Sequence, residues 1–263
     1  MFGGFSGLKT PRGSDVGEQM LNTAVSQAIR HLFTQSEAVD VSVRCFPSSK
    51  LLQGSIDSFK MSGRGLLIRR EFWVEEMSFE TDAVSIDFGS ILSGKVRLKQ
   101  PTQAIAQVTL TEAGINRAFG AELVKPRLNN ITEPALLNLS GGEPVSFSDV
   151  ELKLLPDNQI RIFAKASLPN GLIPLSLTAT LEIDRRRRIL FQNPQFVPDA
   201  VPESQRGLSQ VLSKAFAEIL NNMVDLDRFD LDGVILRLNR LETQDDKLIF
   251  SGYAQVTHFP KQG

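Results

Sequence analysis

The 263-residue chain holds one cysteine, two histidines, one tryptophan and one tyrosine, and its 29 basic and 30 acidic residues leave a net charge of -1. Each scarcity excludes something. A lone Cys45 cannot form an intramolecular disulfide and fits a reducing compartment. His31 and His258 stand far apart, and with no H-x-x-x-H or C-x-x-C spacing a metal site would have to be assembled from distant carboxylates. No G-x-S-x-G nucleophile motif is present, and Cys45 has no motif-level partner. The near-zero charge leaves no basic stripe of the kind that holds nucleic acid. No run of about 18 apolar residues exists to span a bilayer, and the N-terminal MFGGFSGLKTPRG lacks the sustained apolar core of a secretory signal.

Two glycine motifs suggest nucleotide chemistry at first sight. Gly89-Ser-Ile-Leu-Ser-Gly94-Lys95 matches a phosphate loop in all but its last position, and Leu139-Ser-Gly-Gly-Glu143 resembles a transport-ATPase signature. A working phosphate loop needs Ser or Thr after the lysine to hold magnesium, and a helix directly behind it. Here Val96 follows, and Val96-Arg-Leu-Lys-Gln-Pro101 alternates like a strand. The first motif is therefore expected to turn one strand into the next, and the second to be a turn before Pro144. No nucleotide is expected. Glu75-Glu76 and Asp245-Asp246 are neighbours in sequence only; adjacent strand residues face opposite ways, which disfavours a general acid–base pair. No cofactor is expected, and no catalytic residue is assigned.

The apolar pattern is richer. Residues 1–14 are glycine-rich and read as a tail; the rest, 15–263, reads as one domain with two loosely similar parts, about 15–125 and 145–263. Asp15 and Glu18 form a capping pair, and Leu21, Ala24, Val25, Ala28, Ile29, Leu32 and Phe33 recur at helical spacing. From Val41 the period changes to two, through Leu66, Ile68, Phe72 and Val74, then Met77 and Phe79 in the opposite phase. Val84 and Ile86 follow, and beyond the glycine stretch Ala104, Ala106, Val108 and Leu110 alternate again. Thr111-Glu112 opens a short helix, and residues 120–145 read as a loop.

The alternation returns at Val150, Leu152 and Leu154, with hairpin turns at Asp157-Asn158 and Pro169-Asn170-Gly171. Asp184 and the run Arg185–Arg188 turn the next strand around, and a proline-rich link leads to a second long helix carrying Leu208, Leu212, Phe216 and Ile219. Two strands close the chain. Short turns between strands predict an antiparallel sheet with helices on one face, an α+β fold.

Two sets of residues are candidates for function. The apolar helix faces (Leu21, Val25, Ile29, Phe33, Leu208, Leu212, Phe216 and Ile219) either line a slot beside the sheet or pack as core. Small residues at inward positions, Ala24, Ala28, Ala104, Ala106, Ala164, Ala166 and Ala179, fit an apolar pocket or a close-packed interface equally. Arg185, Arg186, Arg187 and Arg188 are either an anionic-lipid contact or a solvated turn that blunts a sheet edge. Arg69 and Arg70 add to such a contact only if they share its face.

The stretch from Gly65 to Phe119, GLLIRREFWVEEMSFETDAVSIDFGSILSGKVRLKQPTQAIAQVTLTEAGINRAF, resembles a bacterial family described as LmeA-like phospholipid-binding. The long first helix, the ATLEIDRRRRILF hairpin and the following helix also fit that family's order, over most of residues 15–259. The resemblance implies a TULIP-like fold, a long curved antiparallel sheet wrapping amphipathic helices around an apolar cavity. It implies binding or transfer of phospholipid, or another acyl-chain ligand, without catalysis. Family members that work outside the cytoplasmic membrane carry an export signal or anchor. Neither is legible here, so the expected place is the cytoplasm or the cytoplasmic face of a membrane, with peripheral contact. The alternative is an interaction scaffold with a fully packed core.

Overall fold

The structure, a computed structural model, describes residues 22–258 apart from 24, 28, 31–32, 48, 88, 91–96 and 229–232. The expectations for Leu21, Ala24, Ala28, His31, Leu32, Gly94, Lys95, Val96 and the N-terminal tail therefore lie outside the described residues. Two antiparallel sheets carry the α+β fold. The first has the spatial order β1-β3-β4-β6-β12-β11: β1 Ala38–Arg44, β3 Ser58–Ile68, β4 Phe72–Thr81, β6 Thr102–Thr111, β12 Lys247–Val256 and β11 Val234–Gln244. It is open and not closed into a barrel. The second is β10-β9-β8-β7: β10 Arg188–Phe196, β9 Gly171–Asp184, β8 Gln159–Leu168 and β7 Ser146–Leu154. A minimal ladder joins β2 (Ser55–Ile56) to β5 (Val84–Ser85).

The division into sheets crosses the expected one into sequence halves. The closing hairpin β11–β12 pairs with β6 over its whole length, from Lys247 opposite Thr111 to Val256 opposite Thr102. It completes the first sheet because β6 would otherwise present a ten-residue unpaired edge.

The described residues between 22 and 30 are helical, and Val25 and Ile29 are buried. Two polar contacts set this segment against β1: Asn22 with the backbone of Val43, and Arg30 Nη2 donating to the Val39 carbonyl at 3.3 Å. Eight helical residues rise about 12 Å and four strand residues about 13 Å, so the segment runs antiparallel beside β1 in matched register. Helix α1 (Glu112–Ala118) starts where the sequence predicts: Thr111 Oγ1 caps it by accepting from Gly114 N at 3.0 Å.

Three local expectations are corrected. Residues 120–145 are not simply loop; they contain helix α2 (Pro134–Ser140), which starts on Pro134 and stops at Gly141 with φ 75°. Leu139-Ser-Gly-Gly-Glu143 is thus the end of a helix and its left-handed stop. Strand β3 begins at Ser58, eight residues before the alternation becomes obvious, because Gly63 holds a buried position where a hydrophobic residue would reveal the strand and Gly65, with φ 57°, interrupts the register with β4. Of the strand expected after Lys95, the described residues from Arg97 onward show a single bridge, Leu98 with Ile86.

Asparagine side chains cover part of all four outer strands of the two main sheets. Each amide donates to a strand carbonyl and accepts from a strand N–H, filling a place another strand would take. On β1, Val43 N donates to Asn22 Oδ1 at 2.6 Å and Asn22 Nδ2 to Val43 O at 3.2 Å. On β7, Leu152 N and O meet Asn116 at 2.7 and 3.0 Å. On β10, Phe191 N donates to Asn221 Oδ1 at 2.6 Å. On β11, Thr243 N donates to Asn158 Oδ1 at 2.9 Å and Asn158 Nδ2 reaches Leu241 O at 3.1 Å. Two of the four, Asn116 on α1 and Asn158 in the β7–β8 turn, tie one sheet to the other.

Replacing Asn116 with Ala leaves both partly buried backbone groups of Leu152 without partners, an expected loss of about 1–3 kcal/mol. A thermal melt checks it, with a decrease of about 2–4 °C for each kcal/mol at this size.

Candidate functional site

The two sheets build different cores. In the second, helix α3 (Arg206–Met223) lies over β9 and β10, and Phe216 stacks on Phe147 with centroids 4.5 Å apart. Leu212, Phe216 and Leu220 are buried to within 1 %. Ala164, Ala166 and Ala179, also buried, present no bulk on the sheet and let the helix approach closely. The fully buried Ile160, Ile162 and Leu177 complete a dense interior.

The first core is not filled in this way. Inward residues of all six of its strands, with the N-terminal helical segment, line a cavity of about 350 Å³. Met61, Met77 and Phe79 project from β3 and β4; across from them β6 contributes Val108 opposite Met77 and the small Ala106 opposite Phe79, and β12 contributes Ala254. Large side chains beside small ones on a twisted sheet leave a trough. Phe59 and Phe79 meet edge to face at 6.0 Å on its wall. Val234, Leu236 and Val256 extend the lining across the far strands, and Ile56, Val84, Ile86 and Leu98 close one end.

The cavity is long and apolar. On β3 alone its lining runs from Phe59 to Ile68, roughly 30 Å of extended chain at about 3.3 Å per residue. Among the described residues, four of those lining it are not apolar: Arg69, Ser78, Thr81 and Thr102. The Thr81 and Thr102 hydroxyls lie 3.3 Å apart and satisfy one another. Arg69 is exposed in the β3–β4 turn, at the end away from Ile56 and Ile86. Such a wall favours hydrocarbon, because a polar group placed along most of it would lose its water and gain no partner. The volume falls in the usual range for small-molecule pockets, about 300–1,000 Å³.

The apolar residues singled out from the two helices separate accordingly. Val25, Ile29 and Phe33 line the cavity, and Leu21 lies outside the described residues. Leu208, Leu212, Phe216 and Ile219 do not line it; they pack in the core of the second sheet. Equal helical periodicity on the two helices thus corresponds to two different surroundings. The strand residues Met61, Met77, Phe79, Ala254 and Val256 were missed as lining. Alternation marks Met77, Phe79, Ala254 and Val256 as inward, but only the partner across the sheet makes an inward residue a cavity wall.

Three of the four clustered arginines are engaged within the protein. Arg186 donates to Asn239 Oδ1 at 2.6 Å and lies 5.7 Å from the Tyr253 ring centroid. Arg187 pairs with Asp227 at 2.7 Å, and Arg188 donates to the Asn221 carbonyl at 3.0 Å. The Arg186 carbonyl also accepts from Leu238 N at 2.6 Å, so the turn is fastened to β11. Arg185 and Arg186 are both exposed at the tip, with φ 47° and 59°.

Hydrogen bonds from Arg187 and then Arg237 hold the Asp227 carboxyl below the usual carboxylate range. A depressed acid stabilises the fold above its unfolded value of about 3.9 and ceases to do so as pH falls through its folded value. Asp227→Asn is expected to flatten the acid limb of stability below about pH 4, read from urea midpoints against pH.

Cys45 is buried and its thiol donates to the Ser55 carbonyl at 3.2 Å; exposed His258 shares a hydrogen bond with Thr257 at 3.1 Å. Among the described residues no group of three or more His, Cys, Asp or Glu could hold a metal ion, and no helix is long and apolar enough to cross a membrane.

An open antiparallel sheet with few helices and an apolar cavity along its inner face is consistent with a lipid-binding fold. The chain belongs to the LmeA-like phospholipid-binding family, whose model matches residues 13–252. No curated protein matches the chain.

Proposed function

We propose that this protein binds the acyl portion of a phospholipid, or of another acylated molecule, in the cavity beside the first sheet, and carries it without altering it chemically. The observation that supports this most is the cavity wall: about 350 Å³ of elongated space with apolar side chains on nearly every side. Family membership supports the same ligand class. A hydrocarbon chain held there leaves water, at about 25 cal/mol per Å² of buried apolar surface, and needs no specific hydrogen bond to stay. Enclosure of this kind suits transfer, since it shields the chain while the protein is away from a bilayer, and loading requires peripheral contact with a membrane. The dense core under α3 fits the fully packed alternative, while the apolar space beside the first sheet supports the lipid reading.

Mass spectrometry of lipids extracted from the purified protein tests the reading. The expected result is a near-stoichiometric acyl lipid. A protein that is lipid-free and also fails to take up a neutral apolar fluorophore would refute it.

A further inference from the structure

The cavity needs a place where a lipid can enter, and one loop has the surface for it. Phe46 and Leu52 are the most exposed large apolar side chains among the described residues, at 80 % and 70 %. Both belong to the short connection between β1 and β2. That connection leaves β1 after Val43 and re-enters the fold at Ile56, and both of these residues line the cavity. The loop therefore sits at the end of the cavity away from Arg69.

Its apolar residues are held outward by a built frame. Leu51 and Cys45 are buried and anchor the loop inward. Asp57 accepts from Phe46 N at 2.6 Å and from Lys50 Nζ at 2.7 Å, fixing the backbone at Phe46 and the helical turn Ser49–Leu52 together. Gly54, with φ 76°, lets the chain turn back, and its carbonyl accepts from Ile86 N at 2.7 Å. A Cβ there would lie 2.1 Å from the Ile86 carbonyl oxygen. Two large hydrophobic side chains in a fixed loop, both in water, are a standing cost unless something covers them.

The charge around them says what. Arg44, Lys50, Arg97 and Lys99 flank the loop or its neighbour after Ile86, against Asp57 and Asp87. Lys99 Nζ reaches the Gln53 carbonyl at 3.1 Å, which brings a cation onto the loop itself. An apolar tip in a basic collar matches an anionic lipid surface: the tip enters the acyl boundary and the cations meet the headgroups.

We propose that Phe46 and Leu52 insert into an anionic bilayer and dock that end of the cavity on the membrane. The inference rests on the lipid-binding reading for its purpose, but its own evidence is the loop. It concerns a different surface from the β9–β10 turn that carries Arg185–Arg188.

Cosedimentation of the full chain with vesicles of phosphatidylcholine and phosphatidylglycerol tests it, alongside vesicles of phosphatidylcholine alone. Wild type is expected to bind the anionic vesicles better. Phe46→Glu with Leu52→Glu lowers that binding about tenfold or more, given what burying two such side chains contributes. Phe46→Ser with Leu52→Ser gives the same direction without added charge. Ile105→Glu, which removes an exposed apolar residue from the sheet's outer face, leaves binding unchanged. Thermal melts confirm that each variant is folded.

Uptake of a neutral apolar fluorophore separates the two claims. If wild type takes up the fluorophore but binds no vesicle, or if both loop variants bind vesicles like wild type, docking through this loop is overturned and the cavity reading stands. If vesicle binding depends on the loop but no fluorophore enters, docking stands and the cavity reading falls. Self-association of wild type that the loop variants abolish, without vesicle binding, assigns the patch to a second copy and overturns the proposal.

Discussion

Ala106→Trp should abolish uptake of an apolar ligand while leaving the protein folded. Ala106 sits on β6, opposite Phe79 on one side and Gly252 on the other, with its Cβ on the cavity wall. An indole at that position projects into the trough between Met77 and Ala254 and occupies the space a chain would take. The added surface is buried in an existing void, so the usual penalty for overpacking a filled core does not apply. Fluorophore or acyl-probe titration should show at least a tenfold weaker Kd, about 1.4 kcal/mol or more. The melting temperature should hold or rise, since filling a cavity restores dispersion contacts. A Trp variant that binds as tightly as wild type would place the ligand elsewhere.

Phe216→Ala should do the opposite. The ring is fully buried in α3 and stacked on Phe147, with close neighbours that cannot collapse into the gap. Large-to-small changes at such sites cost about 3–5 kcal/mol, a large share of the typical 5–15 kcal/mol of a folded domain. Urea unfolding measures it. The folded fraction should still bind the apolar probe with unchanged affinity, because α3 serves the second core and not the cavity. Should the variant fail to fold, Leu212→Ala offers a related cost of about 2–5 kcal/mol with the same expected indifference to ligand. A lower affinity in the folded fraction of either variant would give α3 a part in the site.

The contrast between these substitutions shows where sequence reading stops. Leu212 and Phe216 recur along α3 as regularly as Val25 and Ile29 along the first helix, and hydrophobic periodicity marks all four as inward. It cannot measure the distance to the facing sheet. That distance depends on side chains from strands far away in sequence: Ala164, Ala166 and Ala179 draw α3 close, while Met61, Met77 and Phe79 beside Ala106 and Ala254 leave a trough. The alanines look alike in sequence, and their different outcomes arise from what stands opposite them.

The arginine run is a similar case. Four consecutive cations at a hairpin turn suit a lipid surface as composition, yet the side-chain partners are Asn239, Asp227 and Asn221, each more than 30 residues along the chain. The loop proposed to meet the membrane, which holds Phe46 and Leu52, carries no repeat or charge run to announce it. Its two apolar residues stand out only once the neighbouring Leu51 is seen to point inward and both of them outward.

The sequence by itself determined the strand alternation, the capped start of α1 at Thr111, the hairpin turns and the α+β class, because local sterics, capping and period act within a few residues. Only the tertiary structure decided that the closing hairpin completes the first sheet, that one helix seals a core while the other covers a cavity, and that asparagines cover the outer strands. Those outcomes are set by packing and backbone pairing between segments far apart in the chain, such as β6 with β12, where Thr102 pairs with Val256, and no local pattern carries that information.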